Sequence, residues 1–337
     1  MSPKRRIIPV FVPHVGCPNN CVFCDQKKIS GAAAPASPED VSRAIENAAA
    51  VIPEGETAEL AFYGGSFTAI PSSEQEALLA AARWYDIVGP IRVSTRPDKI
   101  DADAIALLKA YGVETVELGA QSMDDEVLRL SGRGHKAADT ERAAELVKGS
   151  GLSLILQMMT GLPGDTAEKT LATARKLCSM RPAGVRIYPT VIIRATPLEE
   201  MWRAGLYKEH TVAEAVEWCV PVVQTFWDAK IDIIRLGLNP TDDLSGGTAV
   251  AGAYHPALGT LVYSRLYLEL ARELLAGAGE LDRATLGVDP RAVSYMAGLR
   301  RENTLALEKE FAPVKIKIVP AKVGMGTVKP IDFLKKQ

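Results

Sequence analysis

With 337 residues the chain suffices for one large α/β barrel-type domain or two ordinary domains, and either buries a substantial core. Its 39 basic and 41 acidic side chains leave a formal charge of −2, which excludes a chain-wide polyanion-binding field and leaves room only for a local basic patch. No run approaches about eighteen uninterrupted apolar residues, and the opening MSPKRRIIPV has no apolar signal stretch, so a membrane span and a secretory leader are not expected and a cytoplasmic location is.

Taken in chain order, short β-branched runs alternate with amphipathic helical stretches. IIPVFV, ELAFY, IRVST, TVELG, LSLILQMM and GVRIYP are each followed by a turn and helix-like sequence, the pattern of βαβ units on a parallel sheet. Ser37-Pro38-Glu39-Asp40 offers a helix N-terminus, while Ala110-Tyr111-Gly112 and Lys148-Gly149-Ser150-Gly151 read as glycine-terminated ends. About six units are expected from Ile7 to Tyr188, with a candidate seventh strand at Ile231 to Leu236. This predicts an α/β fold, a partial (β/α)6 TIM-type barrel over residues 1–236 with a C-terminal extension of mixed helix and strand over 237–337. Within the extension, a glycine-rich stretch precedes a long helical run, TLVYSRLYLELARELLAG, and VKIKIVPAKVGMGTVKPIDFLKKQ holds two strand-like runs.

In a parallel barrel the loops after the strands share one mouth, where chemistry collects. The polar and glycine-rich oddities all fall there: three cysteines after the first strand, Gly64-Gly65-Ser66 after the second, Ser94-Thr95-Arg96 at the third, Gln121-Ser122 at the fourth and Gly161-Leu162-Pro163-Gly164 after the fifth.

The stretch Gly16 to Gln26 reads GCPNNCVFCDQ and places Cys17, Cys21 and Cys24 in a C-x3-C-x2-C spacing. Three soft thiolates gathered by a turn, without a fourth nearby, suit a [4Fe-4S] cluster with one iron left open. A structural zinc site would want four ligands, and here there is no second CxxC and only His14 nearby. A redox pair at Cys21 and Cys24 would not need Cys17. Cys178 and Cys219 lie among apolar neighbours in helical stretches and read as buried inert thiols, so the cysteine usage fits a metal site in a reducing compartment rather than disulfides.

CPNNCVFC after a first strand resembles the CxxxCxxC signature of the radical S-adenosylmethionine (SAM) superfamily, in which the open iron chelates the amino and carboxylate groups of SAM. FYGGSF, TRPD, ELGAQS, RGH, MMTGLPG and IYPTVIIR, in that order, resemble the radical SAM half of the Elongator catalytic subunit family, over about Arg6 to Asp243. ELGAQS and RGH are also similar, more distantly, to oxygen-independent coproporphyrinogen oxidases. The Elongator enzymes have a longer gap between their first two cluster cysteines. They also carry an acetyltransferase domain for which this chain leaves no room, so acetyl transfer by this chain alone is not expected.

The resemblance implies that Cys17, Cys21 and Cys24 hold the cluster and act in catalysis. It further implies that Gly64 and Gly65 offer backbone to the SAM ammonium, that Ser94 reaches the ribose, and that Gln121 and Arg133 contact SAM, Arg133 as a bidentate partner for the carboxylate. Read without it, the glycines make a tight turn, Gln121 satisfies a loop and Arg133 pairs with Asp124 or Asp125 on the surface. Phe23 either packs near adenine or anchors its loop. One of Met158 and Met159 is core filler; Tyr188 and Arg194 face substrate or form a hydrogen-bonded rim; His255 is a loop anchor or a site contact.

The expected function is a radical SAM enzyme, fed by a low-potential donor of flavodoxin or ferredoxin type and acting on an RNA base, transfer RNA by resemblance. Arg186, Arg194, Arg203, Lys208 and the lysine-rich tail are expected to offer a phosphate-binding surface. The rival readings are a radical SAM enzyme acting on a small molecule such as a tetrapyrrole, and a non-enzymatic metal-bearing interaction protein.

Overall fold

The structure, a computed structural model, describes residues 6–12, 17, 21–25, 36–240 and 244–335. Seven strands, β1 (Ile7–Phe11), β2 (Ala58–Tyr63), β3 (Val88–Thr95), β4 (Val113–Gln121), β5 (Ser153–Thr160), β6 (Gly184–Pro189) and, after the short β7 (Val191–Ile193), β8 (Asp232–Leu236), build one sheet in the order β1-β2-β3-β4-β5-β6-β8. Every pairing in it is parallel. The central strands are buried along nearly their whole length, as expected where helices cover one face and a lumen fills the other. The sheet is a curled half-barrel: six strands in chain order with the candidate seventh added at the edge.

The helices between these strands begin and end where their sequences say. The first, α1 (Pro38–Ala49), is capped by the Ser37 side chain on the Asp40 N–H, with Asp40 returning to the Ser37 backbone and Pro38 in the first turn. Its buried residues Val41 and Ile45 are four apart on one face. Next come α2 (Ser72–Arg83), α3 (Ala102–Ala110), α4 (Asp125–Leu130), α5 (Ala137–Gly149) and α6 (Ala167–Ser179). Gly112 and Gly151, just past α3 and α5, take the left-handed conformation that ends a helix cheaply only at glycine. Two more helices, α7 (Pro197–Arg203) and α8 (Val212–Asp228), lead into β8.

Past the barrel, β9 (Ala249–Gly252) pairs antiparallel with β7 beside the mouth. The long helix α9 (Leu258–Ala276) then joins two cores: Val262 and Leu266 belong to the barrel core, whereas Tyr267, Leu268, Ala271 and Leu275 belong to a second one. That second core lies under a three-stranded sheet of β10 (Leu281–Val288), β11 (Lys315–Pro320) and β12 (Val328–Lys335), order β11-β10-β12, with α10 (Val293–Ala297) and α11 (Glu302–Glu310) between β10 and β11. The two strand-like runs of the tail are therefore edge strands on either side of β10. Among the described residues no helix is long and apolar enough to cross a membrane.

Candidate active site

The strand ends enclose a cavity of about 660 Å³. Cys17, Cys21 and Cys24 all line it, Cys21 buried and the other two half-buried. Their loop turns through a hydrogen bond from the Cys24 N–H to the Cys21 carbonyl (3.1 Å). It is tied on both sides, by the Val22 N–H to the Ser131 carbonyl (3.1 Å) and the Leu198 N–H to the Val22 carbonyl (2.9 Å). Burial raises the Cys17 thiol above its ordinary range, and the charge of nearby Cys21 adds to this while Arg133 opposes it. The donor set fits an iron–sulfur cluster: three thiols on one loop face a cavity whose lining includes Arg96 and Arg133, while the carboxylate that also lines it, Glu117, is engaged by arginines. Among the described residues, no three Cys, His, Asp or Glu side chains close on a single point as a ready-made metal cage.

Gly64, Gly65, Ser94, Gln121 and Arg133 line the same cavity as the cysteines. Gly64 sits at φ 95°, a conformation that favours glycine and presents bare backbone to the lumen. At the end of β4 the register slips between Gly119 and Gln121, and Gln121 is left at φ 64°, costly for a residue with a Cβ. Its side chain is buried and its Oε1 atom has no hydrogen-bond partner. Arg133 is also buried, donating from Nη2 to the Gly119 carbonyl (2.6 Å) and from Nη1 to Cys21 Sγ (3.4 Å). The surface pair with Asp124 is not formed; that carboxylate instead caps α4 and meets Lys169 at 3.4 Å.

The remaining candidates divide. Met158 is fully buried in the core and Met159 lines the cavity. Phe23 lines the cavity while packing on the cluster of Ile192, Leu198 and Tyr207. Tyr188 faces the lumen, whereas Arg194 is exposed and donates to the Gly247 carbonyl (2.9 Å). His255 accepts from the Ala257 N–H (3.1 Å) and so anchors its own loop. Cys219 is fully buried and its thiol is pushed up to about 12 by burial; Cys178 is half-buried and raised for the same reason.

Sequence reasoning missed the charged belt beneath the mouth. Glu117 on β4 has no exposed side-chain surface and accepts from Arg92 Nη1 (2.6 Å), Arg186 Nη2 (2.9 Å), Arg186 Nε (3.0 Å) and Gln157 Nε2 (2.9 Å). Arg92 also bridges to Glu59 at 2.8 Å, and Arg186 reaches the Tyr63 hydroxyl at 3.1 Å. Burial alone would raise the Glu117 carboxyl, but Arg186 and Arg92 together hold it below the usual carboxylate range. The same belt removes one member of the expected phosphate surface, since Arg186 is buried in the lumen and neutralised by Glu117; Arg203 and Lys208 stay exposed while pairing with Glu199 (2.7 Å) and Glu214 (2.7 Å). The signal was a charged residue inside the apolar runs of β2, β3, β4 and β6 (Glu59, Arg92, Glu117 and Arg186), whose partners lie far away in sequence.

Comparison with known proteins points the same way as the motif. The model of the radical SAM superfamily matches residues 11–177, and that of the radical SAM C-terminal domain matches residues 182–267. The tRNA uridine(34) acetyltransferase of Methanocaldococcus infernus is 32% identical over 180 residues, covering 52% of this chain but 32% of that protein. Human Elongator complex protein 3 is 32% identical over 130 residues, 38% of this chain and 24% of that one. The chain thus matches a third or less of the length of these two relatives. Among solved structures, the archaeal Methanocaldococcus infernus Elp3 superposes with a TM-score of 0.62 at 24% identity, covering 78% of this chain and 63% of that one, a likeness of fold. The chain belongs to the radical SAM superfamily.

Proposed function

We propose that the barrel, residues 1–236, binds a [4Fe-4S] cluster on Cys17, Cys21 and Cys24 and SAM beside it, and that the chain uses them to modify a base of transfer RNA in the cytoplasm. The observation that supports this most is that all three motif cysteines and Gly64, Gly65, Ser94, Gln121 and Arg133 share one cavity. Held by Cys17, Cys21 and Cys24 and by the residues beside them, the cluster and SAM would supply one-electron reductive, radical-generating chemistry. The chain's own part is to bind and orient. Gly64 and Gly65 let backbone approach the ammonium, and Arg133, already fixed by the Gly119 carbonyl, holds the carboxylate. Gln121 offers an unused amide oxygen, the Ser94 hydroxyl, which donates to Glu117 Oε2 (3.4 Å), exchanges that bond to reach the ribose, and Met159, Val191 and Ile193 give the cavity an apolar wall that excludes water. The electron comes from an external donor of flavodoxin or ferredoxin type.

The RNA substrate rests on the activity named for the acetyltransferase relative. It rests also on the extension, residues 237–337, whose small sheet and its turn expose Lys315, Lys317, Lys322, Lys329 and Lys335. Mobility-shift titration of unmodified transfer RNA transcripts tests it. Affinity is expected to fall about tenfold or more between about 50 and 200 mM salt, as phosphate neutralisation requires. Absence of any shift at low salt would remove the RNA reading and leave a small-molecule substrate.

A further inference from the structure

Arg186 and Arg235 are register partners on the neighbouring parallel strands β6 and β8. They meet because the register slips: Val185 pairs with Ile233, Arg186 pairs with Arg235, and Ile234 is the extra residue. Such bulges re-aim side chains beside functional sites, and here the slip sets Arg235 against the cavity. Two cations directly across a ladder repel unless each has a counter-charge. Arg186 has one in Glu117. Arg235 donates from Nε to the Gly237 carbonyl (2.9 Å) and from Nη2 to the Leu238 carbonyl (3.2 Å), neither of which carries formal charge, and no carboxylate pairs with it among the described residues. Its carbonyl clamp fixes the guanidinium at the end of β8, half-buried. Tyr188, two residues after Arg186 on β6, lines the same wall and lies within electrostatic reach of both arginines.

We propose that Arg235 is an oxyanion subsite that holds a phosphate or carboxylate group of the substrate. The anion is not that of SAM. The residues assigned to SAM sit at the ends of β2, β3 and β4 and just after α4, whereas Arg235 is on the last strand of the sheet, at the edge opposite β1. A fixed, planar guanidinium suits a phosphate or carboxylate, and both offer the same paired oxygens. This inference rests on the radical SAM reading of the cavity.

The test is equilibrium binding by titration calorimetry to the anaerobically reconstituted full chain, saturated with S-adenosylhomocysteine, using two matched pairs of probes. Uridine 5′-monophosphate against uridine reads a phosphate; succinate against succinamide reads a carboxylate. In at least one pair the charged member is expected to bind about tenfold more tightly, a preference that falls to within about twofold in Arg235→Gln and is partly kept in Arg235→Lys. Thermal melting of both variants shows that they are folded. Equal binding of charged and neutral members in both pairs, or a preference that survives in folded Arg235→Gln, would overturn the subsite. Failure of the wild type to release 5′-deoxyadenosine from SAM would instead count against the reading on which it rests.

Discussion

Glu117 is the residue on which the lumen depends. It neutralises two guanidiniums contributed by strands on either side of it, and its removal leaves buried positive charge unpaired. Breaking a buried ion pair from one side costs on the order of 3 kcal/mol. Glu117→Gln, which keeps the shape and loses the charge, is therefore expected to lower the unfolding free energy by about that amount, read from the denaturant midpoint at neutral pH. The pH dependence has a definite sign. The folded carboxyl lies below its unfolded range, so the stabilisation is present above about pH 4.3 and is lost as pH falls through the folded value. That acid-sensitive part should be missing from the variant. An unchanged midpoint, or an identical acid profile, would mean that the belt is not stabilising. None of this was legible beforehand, because Glu117 and Arg186 lie 69 residues apart and a charge in a strand reads as solvated until its partners are known. The three cysteines, by contrast, were legible from spacing alone, since their loop is local.

The turn after β5 shows how an element is held in place. Gly161 takes φ 73°, its carbonyl accepts from the Tyr207 hydroxyl (2.6 Å), and its N–H donates to Asp165 (2.9 Å). The His210 ring, bonded to Thr160 at 3.0 Å, occupies the space that a Cβ at position 161 would fill. Gly161→Ala therefore meets both a left-handed backbone and a packed ring, and is expected to cost about 2 to 4 kcal/mol. Gly205, at φ 71° with nothing near its missing Cβ, is the matched control, and its alanine variant should cost only about 1 kcal/mol. Equal costs in chemical denaturation would contradict the packing argument. At this scale the sequence was informative where signals are local. The seven strands showed as apolar runs, and the ends of α1, α3 and α5 as serine, proline and glycine. The bulges that aim Gln121 and Arg235 were not readable, because a one-residue slip depends on the neighbouring strand.

On the scale of the molecule, the sheet stays open between β1 and β8, and the chain continues through α9 into a second core rather than closing the barrel. The sequence turns glycine- and turn-rich after residue 236, and we propose that point as the boundary between the barrel, which binds the cofactors and one anionic group of the substrate, and an extension that adds to substrate binding. Helix α9 packs in both cores, so the two parts are mechanically joined whichever function each has. Of the expected basic surface, Arg186 is taken up by Glu117, while the small sheet and its turn expose Lys315, Lys317, Lys322, Lys329 and Lys335.

The central claim is that Cys17, Cys21 and Cys24 hold a cluster that cleaves SAM. The most direct measurement is release of 5′-deoxyadenosine from SAM by the reduced, anaerobically reconstituted chain, compared with a folded Cys17→Ala, Cys21→Ala, Cys24→Ala variant. Product is expected from a wild type carrying about four irons per chain, and none above the no-enzyme background from the variant. Equal product from both, or none from a wild type fully loaded with iron, would contradict it.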